Sequence, residues 1–285
     1  MNDYQLFSQL LTNSILKKEN EYDFQNFSIE NWETFLDLSM HHKITPVLYQ
    51  YLEPIKGQIN IPDNILVKMR RVNRSNAIRN TLLLHETGLI FSRLSQVSLH
   101  AIGLKGLYLI DNVYDNIGLR TMSDMDILLH KADIPNALLV LEELGYHPTT
   151  YFDFNDQNVD IKHVPPLVKD GSYYVEIHWT LLEEKEPFSI DIEGIWTRAI
   201  PARIAGVEVL ALGLEDLILH LCLHLTYQHH LQLGLRGLYD IALVLGQHQA
   251  DVNWEAVTQR AKSWQAERVV ALTFRLLEIY FDTPI

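Results

Sequence analysis

A chain of 285 residues has room for one large domain or two smaller ones at about 100 to 200 residues each, and is too long for a disulfide miniprotein. Its 36 acidic against 23 basic residues leave a formal charge of −13, which argues against broad electrostatic binding to duplex nucleic acid and makes any phosphate contact a local one. Hydrophobic residues at 47% and charged residues at 21% lie far from a disordered composition, so a packed fold is expected throughout.

The lone cysteine, Cys222, excludes an internal disulfide and a Cys-based zinc site, and reads as a small buried hydrophobe on a helix. The N-terminal stretch MNDYQLFSQLLTNSILKKEN is amphipathic and mixes in acidic and amide groups, unlike the basic start and apolar core of a signal peptide. No apolar run reaches the ~20 residues that a bilayer span needs. A cytoplasmic protein with no membrane partner is expected.

Residues 1–95 read as an N-terminal helical region. Tyr4, Leu6, Phe7, Leu10, Leu11 and Ile15 recur near a 3.6 period, and Ser28 followed by Asn31, Trp32, Phe35 and Leu36 marks a capped second helix. A short helix follows Pro46, and a long one runs from Pro62 to about residue 94. Within it, KMRRVNRSNAIR carries Lys68, Arg70, Arg71, Arg74 and Arg79 with no acid. That run is either a solvated helix face or a positive wall facing a bound polyphosphate.

Residues 96–210 read as an α+β core with a small mixed sheet of about five strands. VSLHAIGL is a β-type run, LKG a tight turn, LYLIDNVY a helix, and MDILL a second strand. Residues 134–144 form a helix, with Asp133 as N-cap and Gly145 as its stop. HPTTYF, IKHVPPLV and YYVEIHWTLL are extended, and RIAGVEVL pairs with itself around Gly206. Residues 211–285 return to helix: LEDLILHLCLHLTYQ is apolar nearly all round and so buried, and three more helices start near Gly234, Asn253 and Gln265. Without a long linker or repeat, the helical ends are expected to flank the sheet as one compact body.

The chemistry concentrates in two strands. In SDMDILL the period of two places Asp124 and Asp126 on one face while Met125 and Ile127 point into the core. Two carboxylates so placed repel each other and lose hydration, so a hard divalent cation between them is the natural partner, although such a pair can also simply edge a strand. In YYVEIHW, Glu176 and His178 share a face opposite Val175 and Ile177, and on a neighbouring strand Glu176 would complete a three-acid cluster suited to phosphoryl or nucleotidyl transfer. Lys105 and Gly106, at a strand end before a helix, with Arg120 and Ser123 upstream of the acids, could hold phosphate. His220 and His224 share a helical face; hydrogen bonds toward the cleft, alongside His163 and His178, are favoured over zinc. Arg236 and Asp240 have the spacing of an intrahelical ion pair.

Together, LKGLYL, LRTMSDMDILL, LEELGY, VEIHWTLL, LHLCLHL, GLRGLYDIALVL and the N-terminal HHKITPVLYQYL resemble the bacterial family of uncharacterised nucleotidyltransferases, within the superfamily that has a polymerase-β-like core. The resemblance runs over nearly the whole chain. It implies a nucleotidyltransferase fold using magnesium or manganese, with Asp124, Asp126 and Glu176 at the metal positions. It also implies that Arg236 and Asp240 support the site. The turn here reads Lys105-Gly106-Leu107 where the superfamily has G-[GS], and 17 residues separate Gly106 from Asp124. The leading expectation is an enzyme moving a nucleoside monophosphate from a nucleoside triphosphate to a small-molecule or protein acceptor. The alternative is a nucleotide-binding or antitoxin-like interaction module that keeps the fold without the chemistry.

Overall fold

Ser28 and Asn31 close a reciprocal capping box, Ser28 Oγ accepting from the Asn31 amide at 3.2 Å and Asn31 Oδ1 from the Ser28 amide at 3.0 Å. This cap starts α1 (Ile29–His41). The computed structural model describes residues 7, 10–12, 24, 27–150, 162–183 and 185–281. Phe7, Leu10 and Leu11 are helical and buried; Tyr4, Leu6 and Ile15 of the same expected helix, and the ends of HPTTYF and IKHVPPLV nearest each other, lie outside the described residues. Pro46 sits in the first turn of α2 (Thr45–Leu52), where its missing N–H has no helical partner to lose. Then α3 (Asp63–Gln96) runs for 34 residues, about 50 Å.

The strand expected over VSLHAIGL shrinks to β1 (Ile102–Gly103). Its first residues instead close the C-terminus of α3: Ser98 takes a left-handed backbone (φ 58) and Leu99 N donates back to Leu94 O at 2.9 Å. There follow α4 (Lys105–Asn112), β2 (Asp124–Leu128) and α5 (Ile134–Glu143). Asp133 makes no side-chain cap, because a 3-10 turn over Lys131–Asp133 feeds straight into α5; Gly145, at φ 88, does end it. The chain continues through β3 (His147–Pro148), β4 (Leu167–Lys169), β5 (Tyr173–His178), α6 (Ile192–Arg198), β6 (Ile200–Ile204) and β7 (Val207–Ala211). The β6–β7 hairpin turns on Ala205 and Gly206, both at positive φ (52 and 80), as a tight two-residue connection requires.

The sheet has seven strands in the order β3-β4-β5-β2-β1-β7-β6, larger than the five expected. The count rises because every extended segment of the sequence joins the one sheet, HPTTYF as β3, IKHVPPLV as β4 and both arms of RIAGVEVL as β6 and β7. Pairs β2·β5 and β1·β7 are parallel and the others antiparallel, so the sheet is mixed as expected. After the sheet come α7 (Leu214–Cys222), α8 (Leu235–His248), α9 (Trp254–Ser263) and α10 (Glu267–Phe281). The apolar α7 is buried as its composition demands, but over Leu223–Gln228 it widens into a π-helix, a distortion frequent at functional sites.

Alternation along β2 and β5 divides the core. Met125, Ile127, Val175 and Ile177 pack with Leu83, Ile90 and Phe91 of α3 and Leu141 of α5 on one face. On the other, Ile102, Leu104 and Leu128 join a cluster drawn from both helical ends, with Trp32, Phe35, Leu48 and Met69 beside Ile218, Ile241, Leu245, Trp264 and Phe281. The carboxylates of β2 and β5 face this second side.

Residues 113–123, between α4 and β2, have no regular structure long enough to hold themselves, and α3 holds them from outside. Asn76 Nδ2 donates to Gly118 O (2.7 Å) and Arg120 O (3.0 Å), Asn80 Nδ2 to Ile117 O and Arg120 O (2.8 Å), and Arg79 to Met122 O (3.0 Å) and Ser123 O (3.1 Å). These residues, three and four apart, lie on one face of the helix. The basic run 68–79 is therefore not a wall of the site. Lys68, Arg71 and Arg74 are exposed, Arg70 pairs with Glu53 at 3.0 Å, and Arg79 binds backbone carbonyls.

Candidate active site

Parallel pairing of β2 with β5 sets Asp126 directly beside Glu176, Asp124 beside Tyr174, and Leu128 beside His178. Asp126 is buried, and its Oδ1 accepts from Lys105 Nζ at 2.9 Å and lies 2.9 Å from His178 Nε2. The same His178 nitrogen is 3.4 Å from Glu176 Oε2. A ring nitrogen set between two carboxylate oxygens must carry the proton, because both oxygens only accept. Lys105 reaches Asp126 from a left-handed backbone (φ 42) at the start of α4.

These neighbours split the acids electrostatically. Burial alone would raise the Asp126 carboxyl, but Lys105 and then His178 outweigh it and hold it well below the usual carboxylate range. The His178 contact likewise lowers Glu176. Asp124 moves the other way, raised by burial and then by the charges of Asp126 and Glu176. Opposed shifts in adjacent carboxylates mark a place where an added positive charge is favourable.

Among the described residues, Asp126, Glu176 and His178 form a group whose ligand atoms all lie within 4.8 Å of one another. The acid-only trio of Asp124, Asp126 and Glu176 is thus not the set the geometry brings closest. Asp124 lines the same cavity but is outside the group; Ser123 Oγ donates to its Oδ1 at 3.2 Å, and two like charges oppose its approach. The carboxylates suit a divalent cation, magnesium or manganese.

The cavity beside these residues measures about 450 Å³. Of the positions singled out in the sequence, Lys105, Gly106, Arg120, Ser123, Asp124, Asp126, His163, Glu176, His224 and Arg236 line it. His178 and His220 are buried behind it, as is Asp240. Lys43, Lys162, His229 and Gln232 also line the cavity and escaped the sequence reading. Lys43 lies in the HHKITP stretch and His229 in a His-His pair, the one signal each gave. His224 Nε2 and His229 Nε2 are 3.0 Å apart, and His163 Nδ1 is 2.7 Å from Val164 O. Burial lowers all of these imidazoles, His224 most strongly, as it does His220. This wall is therefore neutral.

Arg120 and Lys105 both face the cavity, yet each already has a carboxylate. Arg120 holds Asp240 with Nε at 2.9 Å and Nη2 at 3.0 Å, and Tyr114 Oη donates to the same Asp240 at 2.7 Å. The intrahelical pair expected between Arg236 and Asp240 is replaced by this bidentate bond from another part of the chain, the better geometry for a guanidinium. Gly106 leaves room for it: a Cβ there would stand 2.7 Å from Arg120 Nη1 and 3.0 Å from Met122 Sδ.

A mixed sheet bearing paired acids on adjacent parallel strands, beside a cavity rich in Lys, Arg and His, defines a nucleotidyltransferase-type protein. Residues 28–282 match the family described as uncharacterised nucleotidyltransferase, and the chain belongs to it. Two solved structures of the antibiotic-resistance factor ANT(2'')-Ia are similar. One, a solution structure, shows 14% identity and a TM-score of 0.46 over 69% of this chain and 97% of that one. The other, a crystal structure with adenylyl-2''-tobramycin, shows 14% identity and a TM-score of 0.43 over 67% and 97%. No curated protein matches. Among the described residues, no helix is long and apolar enough to cross a membrane.

Proposed function

We propose that this protein transfers a nucleoside monophosphate from a nucleoside triphosphate to the hydroxyl of a small-molecule or protein acceptor. The observation that carries the reading is the in-register pairing of Asp126 with Glu176 beside a cavity that also holds Asp124. In the transfer, an acceptor oxygen bonds to the α-phosphorus, the bond from that phosphorus to the bridging oxygen breaks, and pyrophosphate leaves with the electron pair.

Asp126 and Glu176, with Asp124, would hold magnesium or manganese, while His178 Nε2, which donates to both of the first two, has no lone pair to add. Bound there, the cation supplies charge neutralisation for the triphosphate. Lys105 keeps Asp126 ionised, and His178 orients Asp126 and Glu176 together. Glu176, with 23% of its side chain exposed against 8% for Asp126, is the acid placed to receive the acceptor's proton. The neutral wall of His224 and His229 offers hydrogen bonds to the acceptor without repelling charge.

A nucleotide-binding or antitoxin-like module without catalysis is the second reading. It is favoured by Asp126 Oδ1 being already occupied by Lys105 and His178. Isothermal titration of ATP, GTP, CTP and UTP with magnesium, paired with a pyrophosphate-release assay on candidate acceptors, separates the two. Binding with release supports transfer; binding without release under every acceptor supports the module; no binding refutes both.

A further inference from the structure

Among the described residues, three cations that line the cavity, Lys43, Lys162 and Arg236, have no carboxylate bonded to them, and two of these, Lys43 and Arg236, come from the helical regions. Arg236 lies in the first turn of α8, and its Nη1 donates to Thr121 O at 3.0 Å. Its Nε is enclosed with no hydrogen-bond partner, although the side chain lines the cavity. Lys43, between α1 and α2, is an exposed residue at the cavity's edge and makes no side-chain hydrogen bond or ion pair among the described residues. Partial burial and then the charge of Arg236 lower its ammonium. Arg236 is lowered by burial and then by Arg120. A half-buried guanidinium beside Arg120 and Lys43, its Nε enclosed and unused, is unfavourable unless an anion joins it.

The two residues are locked together. Arg236 N donates to His42 O at 3.3 Å. Gly234 has φ 63, and a Cβ there would fall 2.6 Å from His42 Nδ1 and 3.1 Å from His42 Cα. Only glycine satisfies both the left-handed backbone and this approach. The turn that ends α1 and the turn that opens α8 thus form one rigid joint, which sets Lys43 and Arg236 side by side.

We propose that Lys43 and Arg236 form a phosphate subsite at the junction of the N-terminal and C-terminal helical regions, occupied by the terminal phosphates of the nucleoside triphosphate. This rests on the nucleotidyl-transfer reading and deepens it. Both cations lie close enough to Asp124 to bear on its charge, as do Lys105 and Arg120, whereas Lys162 bears on Glu176 and Asp126. In an in-line displacement the attacking and leaving oxygens lie on opposite sides of the phosphorus. With Glu176 serving the acceptor, the pyrophosphate departs on the side of Asp124, toward Lys43 and Arg236. There the two cations stabilise the charge that the breaking bond leaves on it. Lys105 and Arg120 are less able to do so, each being bonded to its own carboxylate.

The test is isothermal titration of the full chain, in magnesium, with ATP, GTP, CTP, UTP and nucleoside-free tripolyphosphate, comparing wild type with Lys43→Met, Arg236→Gln and Gly234→Ala. Lys43 is exposed, so Lys43→Met keeps the core intact if Arg236→Gln fails to fold. Wild type should bind tripolyphosphate in competition with the nucleotide. Lys43→Met should weaken both ligands by about tenfold, the loss expected for one charge-assisted contact. Gly234→Ala should weaken both in the same direction by displacing the joint. If wild type binds nucleotides and the variants bind nucleotide and tripolyphosphate equally well, the subsite is overturned while the transfer reading stands. If tripolyphosphate binds without competing, the anion belongs to the acceptor and the assignment to the leaving group is overturned. If wild type binds neither ligand, both the subsite and the transfer reading fail.

Discussion

Removing Asp240 measures how the cavity is held from behind. Its carboxylate, 3% exposed, accepts from Arg120 Nε, Arg120 Nη2 and Tyr114 Oη at 2.9, 3.0 and 2.7 Å. Asp240→Ala strands an Arg120 that is itself 5% exposed, and breaking a buried pair from one side costs about 3 to 5 kcal/mol. Arg236, one helical turn away, makes no ion pair with Asp240 and turns its Nη1 to Thr121 O instead, and even a formed i,i+4 pair contributes only about 0.2 to 0.5 kcal/mol. The magnitudes are far enough apart to identify the partner. Urea unfolding of Asp240→Ala, Arg120→Met and Arg236→Met, with the two double variants, gives two double-mutant cycles. The Arg120 cycle should show a coupling of about 2 kcal/mol or more, and the Arg236 cycle less than about 0.5 kcal/mol. Equal couplings, or a larger one with Arg236, would refute the assignment.

Asp126, held below the usual carboxylate range, contributes stability that is fully present above its unfolded value of about 3.9 and is lost as pH falls through the depressed folded value. In metal-free buffer the melting temperature of wild type should therefore exceed that of Asp126→Asn by a constant margin near neutrality, and the margin should shrink below about pH 4; a margin that widens on acidification contradicts the pairing. We also propose that the regions 1–95, 96–210 and 211–285 behave as one body, since one hydrophobic cluster draws on all of them. Limited proteolysis should yield no stable fragment ending near 95 or 210, and such a fragment would show independent domains.

The local part of this architecture was readable because it is written in nearest-neighbour periods. Alternation in MDILL and YYVEIH assigned Met125, Ile127, Val175 and Ile177 to the core and turned Asp124, Asp126, Glu176 and His178 away from it. What a period does not carry is which distant groups meet. His178 reaches Asp126 only through the pairing of β2 with β5, and Asp240 finds Arg120 across the chain where spacing alone favours Arg236. Lys43 was invisible for the same reason: it is one lysine in a turn, brought to the cavity by the contact between His42 and Gly234. The extended segments were each legible, but which of them pair is a long-range fact, so a sheet of about five strands was expected where seven join.

The grip of α3 on residues 117–123 makes that helix a strut. Near its start it packs against α2, midway Asn76, Arg79 and Asn80 clasp the approach to β2, and further on Gly88 stands 3.0 Å, measured from an added Cβ, from Ala205 O of the β6–β7 hairpin. A continuous helix keeps these contacts in fixed phase, because every turn is braced by its own hydrogen bonds. The N-terminal helices, the backbone that precedes Asp124 and the β6–β7 hairpin therefore rest on one common support. The carboxylates are in this sense aimed from some distance away, by the phase of a helix that contributes none of them.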